Sequence, residues 1–195
     1  MIDQVLTAIV GLLNNHIGTL APEVVLGNLS MMDSSSEDGT NITDRVVLSV
    51  VNIQQESTLR NLPANRQILD NSGQPQGVAK HPPLLLNIFL LVGANKVQYN
   101  IGLQRISQVL SFFQKNPIFT EAEIPALPSM NLEKIIFDMH SGSFEELNQL
   151  WSIMGGKYIP SVLYKMRMAY IDSIEENMEI PLVKSIESTF TLKNK

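Results

Sequence analysis

Two segments of the chain repeat apolar residues at helical spacing, and each is predicted to form an amphipathic helix. In the first, IDQVLTAIVGLLNNHI (2–17), the apolar side covers roughly 200°, which is wider than a helix packed on one surface requires. That width fits either a helix between two layers of its own domain or a helix that also faces a neighbouring subunit. The apolar side consists of Ile2, Val5, Leu6, Ile9, Leu12 and Leu13.

The second helical segment covers residues 97–114. Ile101 and Phe112 fall on the side opposite its inner stripe, three turns apart. An apolar pair on an outer face indicates a contact with a partner, and burial under the following 118–128 segment explains the pair equally well. The predicted inner stripe consists of Tyr99, Leu103, Ile106, Val109, Leu110 and Phe113.

Other segments show the patterns of β-strands. The run 45–55 (RVVLSVVNIQQ) is rich in β-branched residues, and the run 84–92 is apolar on both of its faces. A strand with two apolar faces is buried on both sides, so 84–92 is predicted to lie centrally in a sheet, beside 45–55. Residues 161–171 alternate apolar and polar side chains, which predicts a strand with one buried face. Shorter strands are predicted at 23–30, 132–139 and 182–191.

A third helix is predicted to begin at Ser143. Ser143 and Glu146 have the S-x-x-E spacing of a capping box, which satisfies N–H groups in the first helical turn. Gly155 and Gly156 are predicted to end the helix. Its predicted buried side consists of Phe144, Leu147, Leu150, Trp151 and Met154.

Two long connections interrupt these elements. Residues 33–43 are rich in Ser, Asp and Gly, and residues 62–81 contain two prolines and two glycines without clear periodicity. Both are predicted to be loops. The order of elements predicts one domain over 1–195 of the α+β class, in which about three helices pack on a mixed, mostly antiparallel sheet.

Composition narrows the classes of function. The chain has 195 residues, of which 44% are hydrophobic and 17% are charged, and its formal net charge is −5. A lightly charged surface favours a subunit of an assembly, and the negative charge argues against nucleic-acid binding. No Lys or Arg precedes Arg45, so no targeting peptide is expected, and no apolar run is long enough to insert in a membrane.

The sequence offers little catalytic chemistry. The chain has no cysteine, and its three histidines, His16, His81 and His140, do not lie at metal-ligand spacing from one another. No nucleotide-binding glycine loop or serine-hydrolase motif occurs. The residues therefore predict an α+β interaction domain with no catalytic, cofactor-binding or metal-binding residues.

Several stretches taken together resemble one family, the cap or tail-terminator proteins of phage-tail-like contractile injection systems of the Photorhabdus virulence cassette and antifeeding prophage type. The resemblance extends over almost the whole chain, and the ordered combination of motifs is more specific than any single fragment. The stretches are VVLGNLS (24–30), RVVLSVVNIQQESTLRN (45–61), PPLLLNIFLLVGAN (82–95), VLSFFQKNPIFT (109–120), IPALP (124–128) and SFEELNQLWSIMGGKYIPSVLYKMRM (143–168).

The resemblance implies a tail-terminator-like fold and a structural role without catalysis. Family members are expected to form a ring, and this ring is expected to be a hexamer. The ring closes the distal end of the inner tube and contacts the last sheath layer. The expected partners are copies of the chain itself and the tube and sheath proteins. Synthesis is expected in the bacterial cytoplasm, with assembly into the distal end of the particle. The alternative is an adaptor that docks cargo or an anchor onto such a particle.

Nine residues are candidates for these contacts. Four of them follow the strand 45–55, three form the turn that enters the strand at 161, and two are the outward apolar pair of the second helix. Local interpretations remain open, since Arg60 could pair with Glu56 and Tyr158 could belong to the core. The candidates are Glu56, Thr58, Arg60, Asn61, Lys157, Tyr158, Pro160, Ile101 and Phe112.

Overall fold

The computed structural model of the chain describes residues 1–32, 34, 41–56, 65–69, 75–79, 84–170 and 178–180. Over these residues the chain forms three α-helices, two short 3-10 turns and nine strands. In chain order they are α1 (Ile2–Ile17), β1 (Val24–Leu26), a 3-10 turn (Leu29–Met31), β2 (Arg45–Gln55), β3 (Asn65–Leu69), β4 (Pro75–Ala79), β5 (Leu84–Asn95), α2 (Tyr99–Lys115), β6 (Ile118–Phe119), a 3-10 turn (Pro128–Met130), β7 (Leu132–Met139), α3 (Phe144–Ile153), β8 (Ser161–Tyr170) and β9 (Met178–Ile180).

Six of the strands form one mixed sheet, in the order β1-β2-β5-β8-β7-β6. The pair β1–β2 is parallel, and the other four pairs are antiparallel. The strand β5 lies between β2 and β8, which confirms its predicted central position. The predicted α+β class with a mixed, mostly antiparallel sheet is confirmed.

The first face of the sheet is covered by α1 and α2. Its core combines aliphatic residues of β2 and β5 with a group of aromatic rings beneath the end of α2. The ring centroids of Phe113 and Phe137 lie 4.5 Å apart, as do those of Phe113 and Tyr164. The predicted alternation of β8 is confirmed, because Val162, Tyr164, Met166 and Met168 are all buried on this face.

The second face of the sheet is covered in part by α3 and by the 3-10 turn at Leu29–Met31. Leu29, Leu91 and Trp151 belong to its core. Gly93 of β5 permits the close approach of this layer, since a Cβ atom there would lie 2.8 Å from Ile159 and 3.0 Å from Leu29. The central strand is therefore covered on both faces near its carboxyl end.

The orientation of α2 differs from the prediction. Phe112, predicted to face outward, is only 5% exposed, whereas Tyr99 and Leu103 of the predicted inner stripe are exposed. Gly102 instead faces β5, where a Cβ atom would be in ordinary van der Waals contact with Ala94, 3.6 Å from its Cβ. The ring of Phe112 lies 5.9 Å from that of Phe119, so burial under the 118–128 segment is the correct one of the two alternatives for Phe112.

The buried side of α3 also differs from the prediction at one position. The capping box is present, since Glu146 N–H donates to Ser143 Oγ and Ser143 N–H donates to the Glu146 carboxylate. Trp151 and Met154 are buried as predicted, but Phe144 is 92% exposed. Phe144 is the first residue of a ten-residue helix that packs on the sheet through its carboxyl-terminal half.

Two predicted boundaries change as well. The stretch 62–81, predicted to be a loop, contains the antiparallel hairpin β3–β4, which pairs with β9 in a separate three-stranded sheet. The strand predicted at 23–30 ends at Leu26, because the side chain of Asn28 accepts a hydrogen bond from Ser30 N–H and begins a 3-10 turn. The strand predicted at 182–191 lies outside the described residues.

The two ends of the main sheet are formed by different residues, after which they are named here. At one end, here called the Leu84 end, β2 finishes, β5 begins and β8 finishes, with Gln55 opposite Leu86 and Leu84 opposite Tyr170. At the other, the Asn95 end, Arg45 lies opposite Asn95. The hairpin β3–β4 connects to the main sheet at the Leu84 end.

Candidate interaction surface

None of the cavities that the described residues line brings together side chains that form a recognisable catalytic group. A groove of about 360 Å³ lies between α3 and the second face of the sheet, and its lining includes His140 and Glu146. His140 packs edge-on against the ring of Phe89, with the centroids 5.3 Å apart, and Glu146 belongs to the capping box of α3. Among the described residues, no group of three His, Asp or Glu side chains is placed to hold a metal ion.

A network of charges holds α2 to the sheet at the Asn95 end. Arg105 donates through Nε and Nη2 to the two carboxylate oxygens of Glu23, both at 3.0 Å, and Lys96 Nζ lies 3.0 Å from Glu23 Oε2. Burial by itself would raise the pKa of the Glu23 carboxyl, but the hydrogen bonds from Arg105 and Lys96 outweigh it and hold that pKa below its ordinary value. The network therefore has a structural role, in joining β1, β5 and α2.

The first group of predicted contact residues lies at the Leu84 end. Glu56 N–H donates to the Leu85 carbonyl at 2.9 Å, and the Glu56 carboxylate accepts from Asn87 Nδ2 at 2.8 Å. Lys165 Nζ lies 3.8 Å from the same carboxylate. Glu56 is thus fixed against the sheet by its neighbours. Its companions Thr58, Arg60 and Asn61 lie outside the described residues.

The second group of predicted contact residues lies at the Asn95 end. Lys157 is exposed, and Tyr158 is 68% exposed although its ring packs edge-on against Trp151 at 5.7 Å. Pro160 is buried, and its carbonyl accepts from Ala94 N–H at 2.8 Å. This group therefore presents Lys157 and Tyr158 outward and uses Pro160 to fix the turn.

The remaining pair lies on α2 and is divided between surface and core. Ile101 is half-buried, whereas Phe112 is part of the aromatic core and packs against His16 at 5.4 Å. The structure therefore does not bring the predicted contact residues into one patch. It places Glu56 and Lys157 near opposite ends of the central strand.

Exposed apolar side chains outside the predicted contact set lie on two helices and beside one of them. Phe144 and Ile153 project from α3, Tyr99 and Leu103 project from α2, and Val97 lies just before α2. Their spacing is that of ordinary amphipathic helices, so their exposure depends on how each helix is rotated on the sheet. Single exposed apolar side chains are common on protein surfaces, whereas contiguous patches of them mark interaction sites.

Comparison with known proteins identifies the family. Residues 4–185 match the sequence profile of the Pvc16 N-terminal domain. The chain belongs to the Pvc16 N-terminal domain family. This match and the two solved structures described next together confirm the resemblance to caps of contractile injection systems. No curated protein matches the sequence.

Two structures determined by electron cryo-microscopy share the fold. One is the sheath/tube terminator of an extracellular contractile injection system, PVC, in its extended state, with 17% identity and a TM-score of 0.58 over 100% of this chain and 64% of the other. The second is the tube terminating cap of the anti-feeding prophage, with 16% identity and a TM-score of 0.59 over 97% of this chain and 61% of the other. The chain thus spans less than two thirds of the length of each structure. In the part of the chain that the structure describes, no helix is long and apolar enough to cross a membrane.

Proposed function

We propose that the chain is a structural cap of a contractile injection system, a protein that ends the inner tube and contacts the last layer of sheath. One observation carries the proposal. The family match covers residues 4–185, and both of the solved structures described above, which share the fold, are terminators of such tubes. The proposed role requires no catalysis, cofactor or metal ion.

The mechanism is one of shape. A growing tube presents an end on which another ring of subunits can be added. A ring that matches this end on one face and lacks a second tube-binding face stops further addition. The subunits of such a ring meet through heterologous contacts that close after a fixed number of copies, and we propose six copies.

The distribution of contact residues supports a subunit with more than one partner. Exposed Tyr158 and Lys157 lie at the Asn95 end of the sheet, and Glu56 lies at the Leu84 end. We assign these positions, together with Thr58, Arg60, Asn61 and the exposed residues of α2 and α3, to contacts with tube, sheath or neighbouring copies. Assembly follows synthesis in the bacterial cytoplasm, and the finished cap lies at the distal end of the particle.

Co-assembly in vitro tests the proposal directly. Purified tube protein from the same system is polymerised with and without this chain, and tube lengths are measured by electron microscopy. The proposal predicts short tubes with the chain at one end. The variant Lys157→Glu is expected to weaken this effect, and the matched control Lys115→Glu, at an exposed position at the end of α2, is expected to retain it. Binding to tubes without any effect on their length would instead favour an adaptor.

A further inference from the structure

The outer edge of β2 is unpaired over its carboxyl-terminal half. The strand β1 is short and pairs only with residues 46–48 of β2. Gly27 N–H then donates to the Leu48 carbonyl, and the chain leaves β2 for the 3-10 turn. Along residues 50–55 no described strand lies on this side of β2, while β5 pairs with its other side. This half of β2 is therefore an open edge of the main sheet as described.

The hydrogen-bond pattern shows which backbone groups this edge presents. Glu56 N–H donates to the Leu85 carbonyl of β5 at 2.9 Å. Alternate residues of an antiparallel strand direct their backbone groups to opposite sides, so Ile53 and Gln55 direct their N–H and C=O groups away from β5. The described part of the chain supplies no partner to these groups. They have the spacing to which another strand pairs.

The sequence of this edge does not protect it against pairing. Natural edge strands commonly avoid association through charged side chains or proline. Residues 46–55 contain neither, and the side chains of Val50 and Ile53 are 39% and 48% exposed. The β-bulge between Val50 and Asn52 interrupts the ladder, but the register is regular again from Asn52 to Gln55. An uncharged and half-exposed edge of this kind is a site for the addition of a strand.

A groove lies beside the edge on the second face of the sheet. It is the groove of about 360 Å³ between α3 and the sheet, and Val51, Asn52 and Gln54 of β2 belong to its lining. Most of its other lining side chains are apolar, among them Phe89 and Leu150. A strand added to β2 would lie about 4.8 Å away, and every second side chain of it would point to this face. The groove therefore suits an apolar side chain of the added strand.

The edge and the groove together define the chemistry of the occupant. The backbone groups of Ile53 and Gln55 require an extended segment that has no proline where it pairs. The groove requires an apolar residue in that segment. Because residues 46–55 are uncharged, a charged segment would gain nothing from this edge. The occupant is thus an extended, largely uncharged segment with apolar residues at alternate positions.

The main sheet of a second copy is poorly suited to supply this segment. Two copies that join through the same β2 edge form a closed two-fold pair, which is not the contact that builds a ring. At the opposite edge of the sheet, β6 has only two residues. Phe137 N–H donates to the Pro117 carbonyl, so Ile118 alone directs its backbone groups outward there. These observations favour a different protein as the source of the segment.

We propose that the edge of β2 at residues 50–55 binds an extended segment of another protein of the particle. The segment adds a strand to the six-stranded sheet and places an apolar side chain in the groove beside α3. Main-chain hydrogen bonds to Ile53 and Gln55 provide affinity, and the groove provides specificity. This inference rests on the proposed function in one respect, that the chain is a component of such a particle.

Hydrogen exchange at single amides tests whether the edge becomes paired. In the purified chain, the N–H groups of Ile53 and Gln55 should exchange quickly, whereas that of Gln54, which faces β5, should exchange slowly. In purified particles, exchange at Ile53 and Gln55 should slow at least about tenfold, because strand pairing protects both amides. Unchanged exchange in particles would overturn the inference. Protection already in the purified chain would also overturn it, and sedimentation would then show whether the chain itself or a second copy covers the edge.

A proline substitution tests the same edge by removing one donor. Ile53→Pro removes an N–H that points away from β5, so the sheet keeps its own hydrogen bonds. Ile118→Pro is the matched control, because Ile118 is 49% exposed and its N–H points outward from the opposite edge. Incorporation of Ile53→Pro into particles should be at least about tenfold lower than that of the control. Circular dichroism checks that both variants are folded.

A charge at the edge provides a second variant that does not depend on proline. Gln55→Lys should also reduce incorporation, since a lysine on an edge opposes strand addition, and exposed Gln114→Lys on α2 is its control. Incorporation of both edge variants at the level of their controls would overturn the inference and leave tube capping intact. A β2 edge that is protected in particles whose tube length does not depend on this chain would leave the inference standing and remove the proposed function.

Discussion

Asn14 completes the outer edge of β1 from the side of α1. Its Oδ1 accepts from the N–H groups of Glu23 and Val24, both at 2.8 Å, and its Nδ2 donates to the Val24 carbonyl at 2.9 Å. Because β1 is the edge strand of the main sheet as described, the two Val24 groups have no neighbouring strand to pair with on that side. A single side chain thereby joins the first helix to the edge of the sheet.

Replacing Asn14 with Ala is expected to destabilise the protein by about 1–3 kcal/mol, because three backbone groups lose their partner. The neighbouring Asn15→Ala is the matched control, since Asn15 is exposed on the same helix and undergoes the same change in helix propensity. Chemical denaturation measures the free energy of unfolding of both. Equal stability of the two variants would contradict this account of Asn14.

Glu23 makes the stability of the protein depend on pH. Burial opposes ionisation of its carboxyl, but the hydrogen bonds and positive charges of Arg105 and Lys96 favour ionisation more strongly. The pKa of Glu23 in the folded state is therefore lower than the ordinary 4.5. Between these two values the unfolded chain binds more protons than the folded one. The stabilisation is therefore present above the ordinary pKa and is lost as the pH falls through the folded-state pKa.

The variant Glu23→Gln is accordingly expected to be less stable than the wild type near neutral pH, with a difference that shrinks as the pH falls below the ordinary carboxyl pKa of 4.5. Exposed Glu121→Gln provides the control and should show no comparable difference. Urea unfolding across the acidic range gives the measurement. A difference in the free energy of unfolding between the wild type and Glu23→Gln that stays constant with pH would show that the network does not act through the Glu23 charge.

At the scale of elements, α3 depends on its amino-terminal cap. Ser143→Ala is expected to cost about 0.5–2 kcal/mol, since it removes the acceptor for Glu146 N–H. Ser141→Ala, two residues earlier and outside the helix, is the control with the same chemical change. Thermal unfolding followed by circular dichroism compares them. Identical transitions for the two variants would mean that the capping box adds nothing to stability.

The elements differ in how far the sequence alone determines them. The strands β2, β5, β7 and β8 and the capping box of α3 could be predicted because β-branched or continuous apolar runs, alternation and capping are local signals. The rotation of α2 could not, since it depends on packing against other elements, such as that of Phe112 on Phe119. The strand β4 contains Pro75 and Gly77, and neither strand of the hairpin β3–β4 alternates apolar and polar residues, so the sequence resembles that of a loop.

At the scale of the whole molecule, α1 and α2 pack on the first face of the main sheet, and α3 covers part of the second. Beyond α3 the second face contains Asn87, whose Oδ1 accepts no hydrogen bond from the described residues. The sequence could predict an interaction domain, because it lacks catalytic motifs and has few charges. It could not predict which surface is used, because contacts with other subunits leave no periodic signal within one chain.

The length of the inner tube in particles from cells that lack this chain tests the central claim most directly. Electron microscopy of purified particles gives the distribution of lengths, and complementation with the wild-type chain provides the control. The account predicts tubes of variable length with open distal ends in its absence, and uniform, closed tubes on complementation. Intact particles of normal, uniform length without the chain would contradict it.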